Sequence, residues 1–178
     1  MRATPLLAFL LLAACADPAA EHLGGFGDPV RGAALHAPSL LGDTTRLAGN
    51  PAAAARAAVQ MEVLAEAFRT DPRWRHTVSG AALHATGQGR AELRRALGIA
   101  EDAPAEAVIA SLRDAAAALD QGRPARAEAA LTGPDWRLGG AGTLARLNAL
   151  PRLPWVEEAA AAAYAEIRRQ DGPGRRDG

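Results

Sequence analysis

Residues 50–69 read NPAAAARAAVQMEVLAEAFR, and this stretch decides the fold. Asn50 can cap the early amides with its side-chain oxygen, and Pro51 suits the first helical position. Ala54, Ala57, Met61, Leu64 and Phe68 then recur at three- and four-residue steps, giving one apolar stripe. Glu62, Glu66 and Arg69 fall on another face, which the spacing alone assigns to solvent. Asp71-Pro72 ends the helix.

The same signals continue toward the C-terminus. Val78, Ala81, Ala82 and Ala85 fit a short helix weakened by Gly80; a second runs over Ala91, Leu93, Ala96 and Leu97, ended by Gly98 with Ile99 as its apolar follower. Pro104 opens a strong helix with a broad face, Val108, Ile109, Leu112, Ala115, Ala116 and Leu119, and Gly122 closes it. Pro124 starts a short partner helix to about Leu131. Gly133-Pro134 breaks the chain, Thr143 caps a helix through Leu150, and Pro154 begins the last one. There Glu157 and Glu158 in the first turn and Arg168 and Arg169 in the last match the helix dipole.

Toward the N-terminus the pattern fades. Residues 28–50 carry Gly32, Pro38, Gly42 and Gly49 without evident helical period, yet hold Val30, Leu40, Leu41 and Leu47. They are expected to lie as an irregular strap over the helices. The fold class is therefore all-α, a compact bundle of five to seven short helices. Residues 28–170 form its single domain, and the polar, glycine-rich 171–178 a disordered tail. Composition agrees: alanine dominates and β-branched residues are few. In so aromatic-poor a chain, Phe68, Trp74, Trp136, Trp155 and Tyr164 are expected to carry much of the buried area.

Charge excludes one class of function. Twenty basic residues, all arginine, balance twenty acidic ones. A nucleic-acid binder needs a basic excess, so no nucleic-acid partner is expected.

The first fifteen residues, MRATPLLAFLLLAAC, carry Arg2, then a short apolar core from Pro5 to Leu12, then small residues. This is the layout of an export signal, too short to span a bilayer. Cys15 is the sole cysteine, so no internal disulfide is available to an exported chain. Leu12-Ala13-Ala14-Cys15 resembles the lipobox that ends the signal peptide of bacterial lipoproteins. The resemblance covers residues 1–15 and implies removal of residues 1–14, a diacylglycerol on the Cys15 thiol and acylation of the new amino group. It implies a membrane partner reached through the lipid, with residues 15–27 as a flexible tether. Two or more acyl chains anchor stably where one does not. By the sorting rule of enteric lipoproteins, Ala16 in place of Asp directly after the cysteine implies the outer membrane of a Gram-negative cell, facing the periplasm.

The search for chemistry gives little. His76 and His84 stand eight residues apart, roughly 12 Å along a straight helix, too far to share a metal. Ser39, Ser79 and Ser111 lie in no nucleophile elbow, and no phosphate loop, dinucleotide fingerprint or haem motif occurs. No cofactor, metal or catalytic residue is expected. Two polar clusters stand out as candidate binding residues: Asp43, Thr44 and Arg46 ahead of a helix start, and Arg73 with Trp74, an aromatic among cations. Their alternative reading is turn chemistry, helix capping and a core-anchoring tryptophan. The expectation is a non-catalytic, lipid-anchored domain that binds an envelope protein partner. The alternatives are a carrier with an apolar inter-helix pocket and a carboxylate-dependent envelope hydrolase.

Overall fold

The computed structural model describes residues 28–172. They fold as seven α-helices: α1 Pro29–Leu41, α2 Pro51–Thr70, α3 Gly80–Leu97, α4 Ala105–Asp120, α5 Pro124–Ala130, α6 Gly139–Asn148 and α7 Pro154–Gln170. A 3-10 turn, Thr44–Leu47, precedes α2. The expected compact all-α bundle is what forms, and the described residues contain no strand. One antiparallel bridge pairs Ile99 with Trp136.

The central element is α2, which packs against α1, α3, α4 and α6. Its cap is the expected one, with Asn50 Oδ1 accepting the Ala53 amide at 3.0 Å. Being surrounded, α2 buries far more than one stripe: Ala55, Ala58 and Ala65 join Met61, Leu64 and Phe68 in the core. The other main pairing joins α3 to α7, and α7 also carries α1.

Four expectations are corrected. The irregular strap over 28–50 is largely helix. Asp28 caps α1 by accepting the Val30 and Arg31 amides at 2.9 and 3.2 Å, Pro29 takes the first helical position, and Val30, Ala34, Ala37 and Leu41 are buried. Pro38 sits inside α1, where it has no N–H for the Ala34 carbonyl, and the helix still runs to the Gly42 amide on the Pro38 carbonyl at 3.1 Å. Second, the two short helices on either side of Gly89 are one helix, α3, begun by Ser79 Oγ on the Ala82 amide. Gly89 is there for α7, since a Cβ would stand 2.6 Å from the Ala159 Cβ and 3.0 Å from the Trp155 carbonyl. Third, α6 begins at Gly139 and Thr143 lies within it, buried, its hydroxyl 3.4 Å from the Leu97 carbonyl. Fourth, Trp155 and Tyr164 are 45% and 39% exposed, so the buried area rests on Phe68, Trp74, Trp136 and the leucines.

Asp171, assigned with 171–178 to the tail, follows α7 and ion-pairs with Arg31 of α1. Residues 1–27 and 173–178, including Cys15, His22 and the proposed signal and tether, lie outside the described residues. No helix among the described residues is long and apolar enough to cross a membrane.

Candidate functional site

The two polar clusters singled out in the sequence do not meet. Asp43 caps the 3-10 turn, its carboxylate accepting the Thr45 amide at 3.1 Å and the Thr45 hydroxyl at 2.6 Å. These bonds hold its carboxyl below the usual range. Thr44 is buried and structural: its hydroxyl donates to the Pro151 carbonyl at 2.5 Å and accepts the Leu153 amide at 3.2 Å, tying this turn to the start of α7. Arg46 is exposed beside them. Arg73 instead reaches Asp28 at 3.1 Å, at the other end of α1. Trp74 is 5% exposed and stacks obliquely on Phe68, ring centroids 6.0 Å apart. Its indole N–H is buried without an acceptor among the described residues. Arg73, Trp74, Asp28 and Arg31 line a hollow of about 310 Å³, so the start of the former strap and residues 73–77 do share a groove.

A stronger constellation lies where the sequence reading expected solvent. Glu62 is fully buried and Glu66 half-buried, which corrects their assignment to an exposed face. The reason is the central place of α2: the side opposite its apolar stripe is covered by α3 and the start of α4, and arginines of α3 meet the carboxylates. Arg94 donates to both oxygens of Glu62, Nε to Oε1 at 2.7 Å and Nη2 to Oε2 at 2.8 Å. Its Nη1 donates to the carbonyls of Ala100, Glu101 and Ala103 at 3.3, 2.9 and 2.9 Å. One guanidinium thus fixes α2, α3 and the loop to α4. Burial pulls the Arg94 guanidinium down, but the Glu62 hydrogen bonds and charge outweigh it and leave it above its ordinary value. One turn along α2, Glu66 takes Arg69 at 2.6 Å and Arg90 at 3.0 Å. Partial burial raises the Glu66 carboxyl, and the two arginines more than reverse this, so it stays ionised at neutral pH.

Arg94 separates two hollows. One, of about 430 Å³, is walled by Glu66, Arg69, Arg90 and the first residues of α4. Its arginines are committed to Glu62 and Glu66. The other, of about 290 Å³, lies over the end of α3 and is lined by Arg95, Gly98, Ile99, Glu101, Arg137 and Leu138. Its floor is held by the small bridge: the Ala100 amide donates to Asp135 and the Arg137 amide to Gly98, each at 2.8 Å. Gly98 sits at φ +69°, where a Cβ would collide with the Leu138 side chain, so glycine is required both for the turn and for the contact. Leu138 is 44% exposed. Arg95 and Arg137 are exposed and take no ion pair among the described residues. The sequence offered one hint of this hollow, the Gly98 cap followed by Ile99; Arg137 and Leu138 arrive through a pairing that local patterns do not encode.

Ser79 and Glu166 form a third polar node. Ser79 Oγ donates to Glu166 Oε2 at 2.8 Å, Gln170 donates to Oε1 at 3.0 Å, and Arg169 pairs with the same carboxylate. Burial raises the Glu166 carboxyl, and these donors overcome it to bring it to about 2. The Ser79 hydroxyl spends its proton on this carboxylate and so ties the start of α3 to α7. Among the described residues no group of three His, Cys, Asp or Glu is placed to hold a metal ion. No protein-family model, curated protein or solved structure matches this chain.

Proposed function

We propose that this chain is a lipid-anchored, non-catalytic binding domain of the cell envelope, held on the periplasmic side of the outer membrane through acylated Cys15 and docking an envelope protein. The observation that carries it is the leader ending Leu12-Ala13-Ala14-Cys15 in a chain with no other cysteine. The helical body supports the reading. The buried Glu62 and the half-sheltered Glu66 are held by arginines of α3, and the buried Glu166 by Arg169 of its own helix and by Ser79 at the start of α3. Such groups serve as rivets, while the cationic Arg95–Arg137 hollow is open to a partner. A carrier of apolar ligands would call for a cavity walled by leucine, valine and tryptophan. The hollows beside Glu66 and beside Asp28 are walled largely by charged side chains, and the one over Ile99 and Leu138 sets a small apolar wall beside Arg95 and Arg137.

The test is Cys15→Ser in the native host, followed by fractionation and crosslinking in the cell. The parent is expected to sediment with membranes and the variant to be released from them. Crosslinking is expected to yield a specific envelope protein on the parent. Equal sedimentation of both forms removes the anchor, and a parent that crosslinks to nothing specific removes the binding role.

A further inference from the structure

We infer that the Arg95–Arg137 hollow receives the C-terminus of a polypeptide whose last side chain is apolar. This deepens the binding role proposed above and rests on it. The chemistry is amphiphilic. Ile99, Leu138 and Gly98 give an apolar wall, and Arg95 and Arg137 stand on the rim with no ion pair among the described residues. Arg94 lines the same hollow but is neutralised by Glu62. Glu101 also lines it, so the rim carries one net positive charge, enough for a single carboxylate beside the two arginines. An arginine fork matches a carboxylate in two bonds, and an uncharged end offers it far less.

The open side of the hollow, beside Leu138, favours a chain end over a free small molecule. Drug-sized ligands sit in pockets of about 300–1,000 Å³ that bury most of their surface. Here about 290 Å³ opens outward beside a half-exposed Leu138. That accommodates one apolar side chain with its carboxylate, while the preceding residues run off over the surface. Capture of a terminal carboxylate is a recurring mode of peptide recognition. The site is also rigid before binding. The Ile99–Trp136 bridge and the Arg94 bonds to the 100–103 carbonyls fix both of its loops, which lowers the ordering cost of association.

The experiment uses the full chain in detergent and a hexapeptide with fluorescein at its N-terminus and a free-acid leucine at its end, read by fluorescence anisotropy. The same peptide as a C-terminal amide, and N-acetyl-leucine as an unlabelled competitor, complete the set. The acid peptide is expected to saturate and to bind about tenfold or more tightly than the amide, the range of one charge-assisted hydrogen-bond pair. Arg95→Gln and Arg137→Gln, both at exposed positions, are each expected to weaken the acid peptide by about tenfold and leave the amide unchanged. Equal binding of acid and amide, or no saturation by either, overturns the inference without needing any variant. N-acetyl-leucine competing as well as the peptide overturns the chain-end assignment in favour of a small ligand. If the acid peptide fails while crosslinking in the cell still captures an envelope protein, this site is wrong and the binding role stands.

Discussion

Arg94 and Arg169 each hold a buried glutamate, yet the two pairs are unequal. Glu62 and Glu166 are alike, 0% and 3% exposed at the side chain, but Arg94 is 6% exposed and Arg169 is 57%. Arg94 also binds three carbonyls, which lose their donor if it is removed. Arg169 lies at the surface, and Ser79 and Gln170 share its task. The difference teaches that the burial of the cation, more than that of the anion, sets what a salt bridge is worth. A carboxylate that loses a buried partner is left as an uncompensated charge.

The largest effect should come from Arg94→Met, which strands Glu62 and three carbonyls. Breaking a buried pair from one side costs about 3–5 kcal/mol, so the variant should unfold at much lower urea or fail to fold cooperatively. Arg169→Met should lose clearly less. Glu62→Met combined with Arg94→Met sharpens the comparison. Removing both charges should restore much of the loss, leaving the cost of the unpaired 100–103 carbonyls. A double variant no better than Arg94→Met alone would show that the carbonyl bonds, and not the ion pair, dominate.

The Glu166 node gives the next effect and depends on pH. Its carboxyl lies at about 2 in the fold against an ordinary 4.5. A depressed folded value means stability is fully present above the unfolded value and is lost as pH falls through the folded one. A displacement from 4.5 to about 2 corresponds to at most about 3.4 kcal/mol. Urea midpoints should therefore fall as pH drops from about 4.5 to about 2, and Glu166→Gln should flatten that slope. An identical slope in the variant would assign the acid sensitivity to other carboxylates, with Glu66 as the first candidate.

Between the two nodes stands Gly89, where α3 touches α7. Gly89→Ala gains about 1 kcal/mol of helix propensity but meets Ala159 and the Trp155 carbonyl. Overpacking of this kind costs about 1–3 kcal/mol, so thermal melting should fall modestly, and further for Gly89→Val. A rise in melting temperature for both would mean that the α3–α7 spacing yields.

These sites also mark what the sequence could tell. The α2 stripe, the Asn50-Pro51 start, the Gly98 stop and the dipole pattern of α7 are local, and each is present where the spacing predicts it. The α1 helix was legible too, through Asp28-Pro29 and the Val30, Ala34, Ala37, Leu41 stripe, but Gly32 and Pro38 outweighed it as breakers. Glu62 was not legible: a carboxylate on the non-stripe face looks solvated until a second helix supplies an arginine 32 residues away. The candidate hollow is the same case, because Arg95 and Arg137 converge only through the Ile99–Trp136 bridge. Of the five singled-out residues, Thr44 and Trp74 prove buried and structural, since a polar or aromatic side chain in a loop signals anchoring as readily as recognition.

The smallest effect completes the scale. Arg56 Nη1 meets Asp120 Oδ2 at 2.8 Å, as close as Arg94 meets Glu62, and joins α2 to α4 where Arg94 joins α3 to α2. Both of its side chains, however, are more than half exposed, 53% and 55%. Water and salt screen such a pair, and holding two long side chains in one geometry costs entropy, so exposed pairs contribute about 0–1 kcal/mol. Arg56→Ala should therefore move the urea midpoint barely beyond error, and that small shift should vanish in high salt. Distance cannot be the ranking variable if Arg94→Met and Arg56→Ala, removing contacts of equal length, differ by several kcal/mol. Should Arg56→Ala cost as much as Arg94→Met, burial would not be what separates the two pairs, and the strong coupling assigned to the Arg94 node would belong to the packing around α2 as a whole.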